Sequence, residues 1–453
     1  MNKARIFILL IFVISMGLRL VLSIINRQAN DDHMAVINWM VDKKEIPANE
    51  SCWECFQPKA FYLMHAGIIS MLQIKKQEQR IVYVQLVNLL FSFFILLFLW
   101  KFIARREYSP TIAVSCFALL AFNPCLVGIN VQATNDTLEI LTGVLTIYFA
   151  GLFFKEKKIS AALWMIVFTI LASLVKGSGI IIMVALIVIF SLKLFASVSR
   201  ERKYLGKIFL ILIISYSAIV PFAGGYYQNY QQYNTPFAHN HPQKDPPPLF
   251  YERTVAGRPG ITSVVDGYFT FRYFDMIRMP YIPNNDERNY PLHRTSLWSQ
   301  LYGRTFFMHF DQWPNSWVNT DWKIITAGRL LIILGIFPLF LFLAGVLKTV
   351  RRSLHELRKE KRNYFSIGNE WIYPLILFCF LLFIIKYTYD YRDFSTMKSI
   401  FLFPALPVFI KFLMDGFSII KSKRVLNWLL AIIGAIVLLS IYDIGFLVGQ
   451  LNN

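Results

Sequence analysis

Four consecutive residues, Asn30-Asp31-Asp32-His33, form the densest group of acid–base side chains near the start of the chain. They follow an apolar run, Ile6 to Ile25, that only Arg19 interrupts with charge. An Asn or Asp at this point caps the next helix, and the backbone N–H groups it accepts keep a carboxylate ionised. A cap asks for one acid, and two stand here. The pair therefore reads as a catalytic carboxylate at the membrane surface, poised as a base, with Asp32 and then Asp31 as candidates. A second acid lies in Gln132-Ala133-Thr134-Asn135-Asp136-Thr137, where another apolar stretch opens after Asn123-Pro124. Asp136 is either the cap of that helix or a second functional carboxylate, with Glu139 one turn later as a competitor. Cations are the third ingredient. Lys176 sits in Leu174-Val175-Lys176-Gly177-Ser178-Gly179, and Lys386, Arg392 and Lys398 surround Tyr387-Thr388-Tyr389-Asp390. An ionisable group between spans is costly and points to function. Snorkelling accounts for Lys386 and Lys398, which leaves Lys176 and Arg392 to stabilise an anionic leaving group.

The elements that must carry these residues are membrane helices. Of 453 residues, 56% are hydrophobic and 16% charged, too apolar for a soluble domain, where about a quarter are charged. Mean hydropathy is +0.48. Several stretches run for about 17–25 apolar residues, the length that crosses a bilayer as helix. Disorder, a fibrous repeat and a soluble multidomain enzyme are excluded. The spans fall near 6–25, 82–103, 110–128, 138–154, 159–176, 179–198, 207–225, 324–347, 371–387, 398–414 and 425–447, about eleven in all. No small-residue cleavage site follows the first, which reads as retained. The net charge of +19 does not signal nucleic acid here, because the basic clusters (Lys101 to Arg106, Lys155 to Lys158, Arg200 to Lys203, Arg351 to Arg362 and Lys421 to Arg424) alternate between ends as the positive-inside rule requires. That side is cytoplasmic, with the N-terminus inside and the C-terminus outside. Two long outer loops remain, about 26–80 and 226–322, and long ordered loops carry function. In the first, Met34, Ile37 and Val41, then Phe61, Met64, Ile68 and Leu72, recur at helical spacing and predict two interfacial helices. The chain thus divides into a transmembrane module with a catalytic first loop (1–225), a large outer loop (226–322) and C-terminal helices (323–453).

An acid just after the first span, an amphipathic helix, and then Phe56-Gln57-Pro58-Lys59-Ala60-Phe61-Tyr62-Leu63-Met64-His65-Ala66 resemble the N-terminal half of the GT-C glycosyltransferases. The likeness is to the group that includes protein O-mannosyltransferases and the lipid A aminoarabinose transferase. The chain departs from that group's His-Pro-Pro pattern at Gln57 and Lys59. The resemblance implies an all-α polytopic fold and a sugar donor linked to polyprenyl phosphate. It also implies an acceptor that is a glycan, lipid or protein, attacked with inversion on the non-cytoplasmic face. Asp136 matches the acid of the second outer loop that faces the first. Asp32 or Asp31 would be the base, while Lys59, Lys176 and Arg392 would stabilise the departing phosphate. Some members hold a divalent cation between the acids, but no metal-ligand spacing is present here, so no cofactor is assigned.

The other motifs weigh less. Cys52-Trp53-Glu54-Cys55 fits a local disulfide better than a metal site. His239 and His241 precede Asp245-Pro246-Pro247-Pro248 on the second loop, too close together for a firm ligand pair. Trp298, Tyr302, Trp313, Trp317 and Trp322 suit an interfacial aromatic belt or sugar stacking. No P-loop, nucleophile elbow or dinucleotide fingerprint offers a site for a soluble nucleotide sugar. An O-antigen ligase or polymerase would rely on Arg and His in the large loop instead of acids in the first. A secondary transporter would show inverted repeats and charged mid-membrane helices. The sequons Asn49-Glu50-Ser51 and Asn135-Asp136-Thr137 do not fix a compartment, and a bacterial inner membrane with a periplasmic active site is the expected location.

Overall fold

Breaks in the helices, more than the helices themselves, decide what meets what in this chain. The computed structural model describes residues 3–29, 32–196, 199–237, 261, 263–281, 292–310, 317, 321–359, 369–391 and 397–452. Among them the ordered elements are helical: α1 (Lys3–Ile25), α2 (His33–Lys43), α3 (Ala60–Met71), α4 (Gln77–Ala104), α5 (Pro110–Ala121), α6 (Pro124–Asn130), α7 (Asp136–Glu156), α8 (Ile159–Val175), α9 (Ile180–Ala196), α10 (Ser199–Ala223), α11 (Tyr226–Tyr233), α12 (Val264–Phe269), α13 (Tyr273–Arg278), α14 (Leu297–Phe306), α15 (Trp322–Lys359), α16 (Ile372–Tyr391), α17 (Leu406–Phe417) and α18 (Lys423–Asn452). Nine helices among the described residues are long and apolar enough to cross a bilayer, or ten if the bent pair α5–α6 forms one span. The all-α, multi-pass reading holds. The eleven apolar stretches map onto these nine, the bent pair and α8. With 17 residues, α8 is at the lower limit for a crossing.

Lipid-facing and protein-facing helices separate clearly. Phe7, Val13, Phe340 and Leu438 stand exposed, as they can where the solvent is as apolar as the side chain. By contrast, α7 and the segment Ser399–Phe417 are 78% and 89% buried and form the centre of the bundle. The segment crosses α15 closely: a Cβ on Gly345 would lie 1.8 Å from the Phe412 carbonyl oxygen, and only glycine permits it.

The α5–α6 break shapes the region around the second acid. Pro124 cannot continue a helix, and the Asn123 side chain accepts the Leu126 N–H at 2.9 Å to start a new one. The chain bends by 50° at this point. Arg19, the lone charge of the first span, is fully buried and donates to the Ala121 carbonyl at 2.8 Å and to Asn130 at 3.3 Å, supplying a partner to an acceptor that the break strands. Asn88 on α4 donates to the carbonyls of Gln132 and Thr134 at 2.8 and 2.9 Å. These bonds hold the irregular stretch that delivers Asp136.

Both helices predicted for the first loop are present. α2 buries Met34, Ile37 and Val41. α3 buries Phe61, Tyr62, His65 and Ile69 and leaves Leu63, Met71 and Leu72 exposed. The Tyr62 hydroxyl and the His65 ring take places inside the protein, against His33 and against Phe61 and Tyr83.

Candidate functional site

Asp32 precedes α2 and makes no side-chain bond to that helix's own N–H groups. Its carboxylate is exposed, and Oδ2 accepts the backbone N–H of Trp53 at 3.2 Å. The cap reading therefore does not account for it. Asn30, Asp31 and Arg392 lie outside the described residues, as do His239, His241, Asp245 and Trp313.

The partner of Asp32 belongs to the Cys52-Trp53-Glu54-Cys55 turn, which a disulfide closes with the two Cα atoms 5.1 Å apart. A bond across so short a loop forces a tight turn, here the 3-10 turn Trp53–Phe56. Glu54 is thereby held, with a side chain only 12% exposed, 4.0 Å from Nδ1 of His33. His33, the first residue of α2, shares a 2.7 Å hydrogen bond with the Tyr62 hydroxyl of α3. Lys59 closes the same turn by donating to the Cys55 carbonyl. Burial pushes its ammonium down to about 8, with Glu54 opposing the shift.

The second acid lies beside this group. Asp136, the first residue of α7, is paired with Lys176, which also stands 3.8 Å from Glu139. Ser178 donates to the other oxygen of Glu139. The three charges are almost wholly buried, with side chains 7%, 11% and 2% exposed for Asp136, Lys176 and Glu139. The turn that carries Lys176 and Ser178 needs Gly179, where a Cβ would stand 2.2 Å from the Ala172 carbonyl oxygen. His33 acts electrostatically on Asp136, and Glu54 on Lys176. First loop and second acid thus share one field.

The structure brings together Asp32, Lys59, Asp136 and Lys176 of the residues singled out from sequence, and adds Glu54, His33, Tyr62 and Glu139. Glu54 had a readable signal, because two cysteines three apart constrain whatever stands between them. His33 and Tyr62 had none, since their pairing depends on how α2 and α3 pack. Among the described residues no group of three or more His, Cys, Asp or Glu side chains could hold a metal ion. Lys386 pairs with Asp390 four residues on and is 72% exposed. Lys398 instead lines a cleft beside Asp136.

Over residues 62–223 the chain matches the sequence model of a family described as dolichyl-phosphate-mannose-protein mannosyltransferase. The chain resembles these transferases. The matched stretch begins within the Pro-aromatic segment and includes Asp136, Glu139 and Lys176. No curated protein matches the chain. Among solved structures it is similar to the crystal structure of ArnT from Cupriavidus metallidurans bound to undecaprenyl phosphate, at 12% identity and a TM-score of 0.39, over 90% of this chain and 77% of that one.

Proposed function

We propose that the chain is a membrane glycosyltransferase that takes a sugar from a polyprenyl phosphate carrier and passes it to an acceptor hydroxyl with inversion. The observation that carries this reading is the convergence of an exposed carboxylate, Asp32, with a buried acid pair and two lysines at one end of the bundle. The description of the matched family, which names a polyprenyl-type phosphate sugar, supports the donor class. On this reading Asp32, or its neighbour Asp31, takes the acceptor proton as the acceptor oxygen attacks the anomeric carbon. The bond from that carbon to the phosphate oxygen breaks, and its electron pair leaves with polyprenyl phosphate. Lys59, Lys176 and Arg392 stabilise the departing charge. Asp136, paired with Lys176, orients the acceptor opposite the base.

The same reading puts the site on the non-cytoplasmic face of a bacterial inner membrane, with the N-terminus inside. It assigns catalysis to the 1–225 module, a capping role to 226–322 and lipid enclosure to 323–453. Purified protein given polyprenyl phosphate–sugar and a mixture of envelope glycans should release polyprenyl phosphate. Turnover with a nucleotide sugar alone would overturn the donor assignment.

Lys59 adds a pH dependence. A lysine whose pKa is lowered to about 8 by burial is charged below that value and loses its proton as pH rises through it. Affinity for polyprenyl phosphate, measured from about pH 6.5 to about pH 9.5, should therefore fall through about 8 and stay level below it. Lys59→Arg keeps its charge throughout and should remove the fall. An unchanged profile in that variant would show that Lys59 does not meet the phosphate.

A further inference from the structure

Asp443, the only acid of α18, takes no part in the proposed reaction and is fully buried. An acid on an apolar span is costly and by default marks a task. Facing it is His309, from the short turn Met308–Phe310 near the end of the second long loop. Oδ1 of Asp443 and Nε2 of His309 stand 3.5 Å apart, and both side chains are 0% exposed. Phe446 meets the imidazole edge-on, with ring centres 5.9 Å apart.

The hydrogen bonds around this pair fix its proton count. His309 Nδ1 lies 2.6 Å from the Trp317 carbonyl oxygen. A carbonyl only accepts, so Nδ1 carries a hydrogen, and a neutral imidazole then presents a bare lone pair at Nε2. On the other side, Asp443 Oδ2 accepts the Met308 N–H at 2.9 Å. Oδ1 and Nε2 are left facing each other, and neither has a hydrogen-bond partner among the described residues. With the carboxyl ionised and the imidazole neutral, two lone pairs would confront each other in a site closed to solvent, which is unfavourable. One proton between them removes the conflict. Burial pushes the His309 imidazole down to about 4, with its bond to the Trp317 carbonyl opposing the shift. The ring is therefore neutral at neutral pH, and the shared proton belongs on the carboxyl. A neutral pair also avoids the desolvation that a buried imidazolium and carboxylate would both bear.

The consequence is mechanical. Asp443 holds the Met308 N–H directly and the Trp317 carbonyl through His309, so both ends of the 308–317 stretch are tied to α18. Those two ends also reach the core. Met308 and Trp317 pack with Leu22, Val127 and Ile444, and a Cβ on Gly128 would stand 3.3 Å from the Trp317 ring and 3.7 Å from the Met308 side chain. Both residues line the cleft beside Asp136.

We propose that Asp443 is a positioning residue: its protonated carboxyl donates from Oδ1 to His309 Nε2 and so latches the 308–317 stretch of the second long loop onto α18, forming one wall of the cleft. The latch stands apart from the transferase reading, because it concerns how the loop is seated and not what the cleft binds.

The test uses the full chain in phosphatidylcholine nanodiscs at neutral pH. An infrared difference spectrum, wild type minus Asp443→Asn, should show the carbonyl stretch of a protonated carboxyl group. Hydrogen exchange, followed by mass spectrometry on peptides covering residues 304–318, gives the second readout. Asn can replace both bonds, its Oδ1 accepting from Met308 and its Nδ2–H donating to His309, so Asp443→Asn should exchange as the wild type does. Asp443→Leu can make neither bond and should exchange about tenfold faster in these peptides, the equivalent of about one hydrogen bond. Peptides from α7 and α15 should be unchanged, which shows that the bundle is intact. A carboxylate band in place of the carboxyl band would overturn the proposal. Fast exchange in Asp443→Asn, or wild-type exchange in Asp443→Leu, would do so equally. Should Asp443→Leu fail to fold, the infrared band and the exchange of Asp443→Asn decide between these outcomes by themselves.

Discussion

Asp32→Asn should fold normally and lose about 10²–10⁴ in kcat/KM, the loss expected when a general base is removed. Folding is spared because the carboxylate caps nothing in α2 and the main-chain N–H it accepts from Trp53 at 3.2 Å is a bond the Asn side-chain oxygen can also accept. The side chain is exposed, so no buried group is stranded. The measurement is release of polyprenyl phosphate at saturating donor, alongside the thermal midpoint. Asp31→Asn should be milder if Asp31 supports its neighbour. Near-normal turnover in both single variants and in the double variant would make the acidic pair structural, and the base would have to be sought at Asp136 or in the second long loop.

Lys176→Met should have the largest effect on stability. Its ammonium is the shared counter-charge of two carboxylates whose side chains are 7% and 2% exposed. Removing one member of a buried ionic group typically costs about 3–5 kcal/mol, because the charge left behind has neither water nor a partner. The expected readout is a drop of that size in unfolding free energy. Lys176→Arg should recover part of it by keeping the charge. Adding Glu139→Gln to Lys176→Met should restore part of the loss, since one stranded carboxylate is then gone, and the cycle of single and double variants gives the coupling directly. A cost below about 1 kcal/mol would mean that the triad is solvated, as a surface pair is. Lys176 would then be free to meet the phosphate alone.

The Cys52–Cys55 turn connects these two experiments. It carries the N–H that Asp32 uses and the carboxylate of Glu54 that acts on Lys176 and Lys59. The proposed base is therefore held by, and the proposed cations feel the charge of, one four-residue loop, although they flank different helices.

Hydropathy and charge alone determined the membrane class, the helical content, the place of nearly every span and the two helices of the first loop. Each of these follows from a local property: an apolar run must be helical in lipid to satisfy its own backbone. The same local reading singled out Asp32, Asp136 and Lys176, because acids and cations next to apolar runs are conspicuous, whereas Lys59 came only from the family resemblance. It did not show which face of α3 packs against protein, since periodicity finds the apolar side of a helix but does not say whether lipid or protein covers it. It set Lys398 aside as a snorkelling side chain and counted Trp317 with a belt, whereas they line one cleft with Arg304. Only the tertiary structure decided those partnerships. Arg304, Trp317 and Lys398 are scattered over the last third of the chain, and their meeting beside Asp136 depends on the α5–α6 break and on how the second long loop seats against α18. The spacing of residues along a chain carries no record of such contacts.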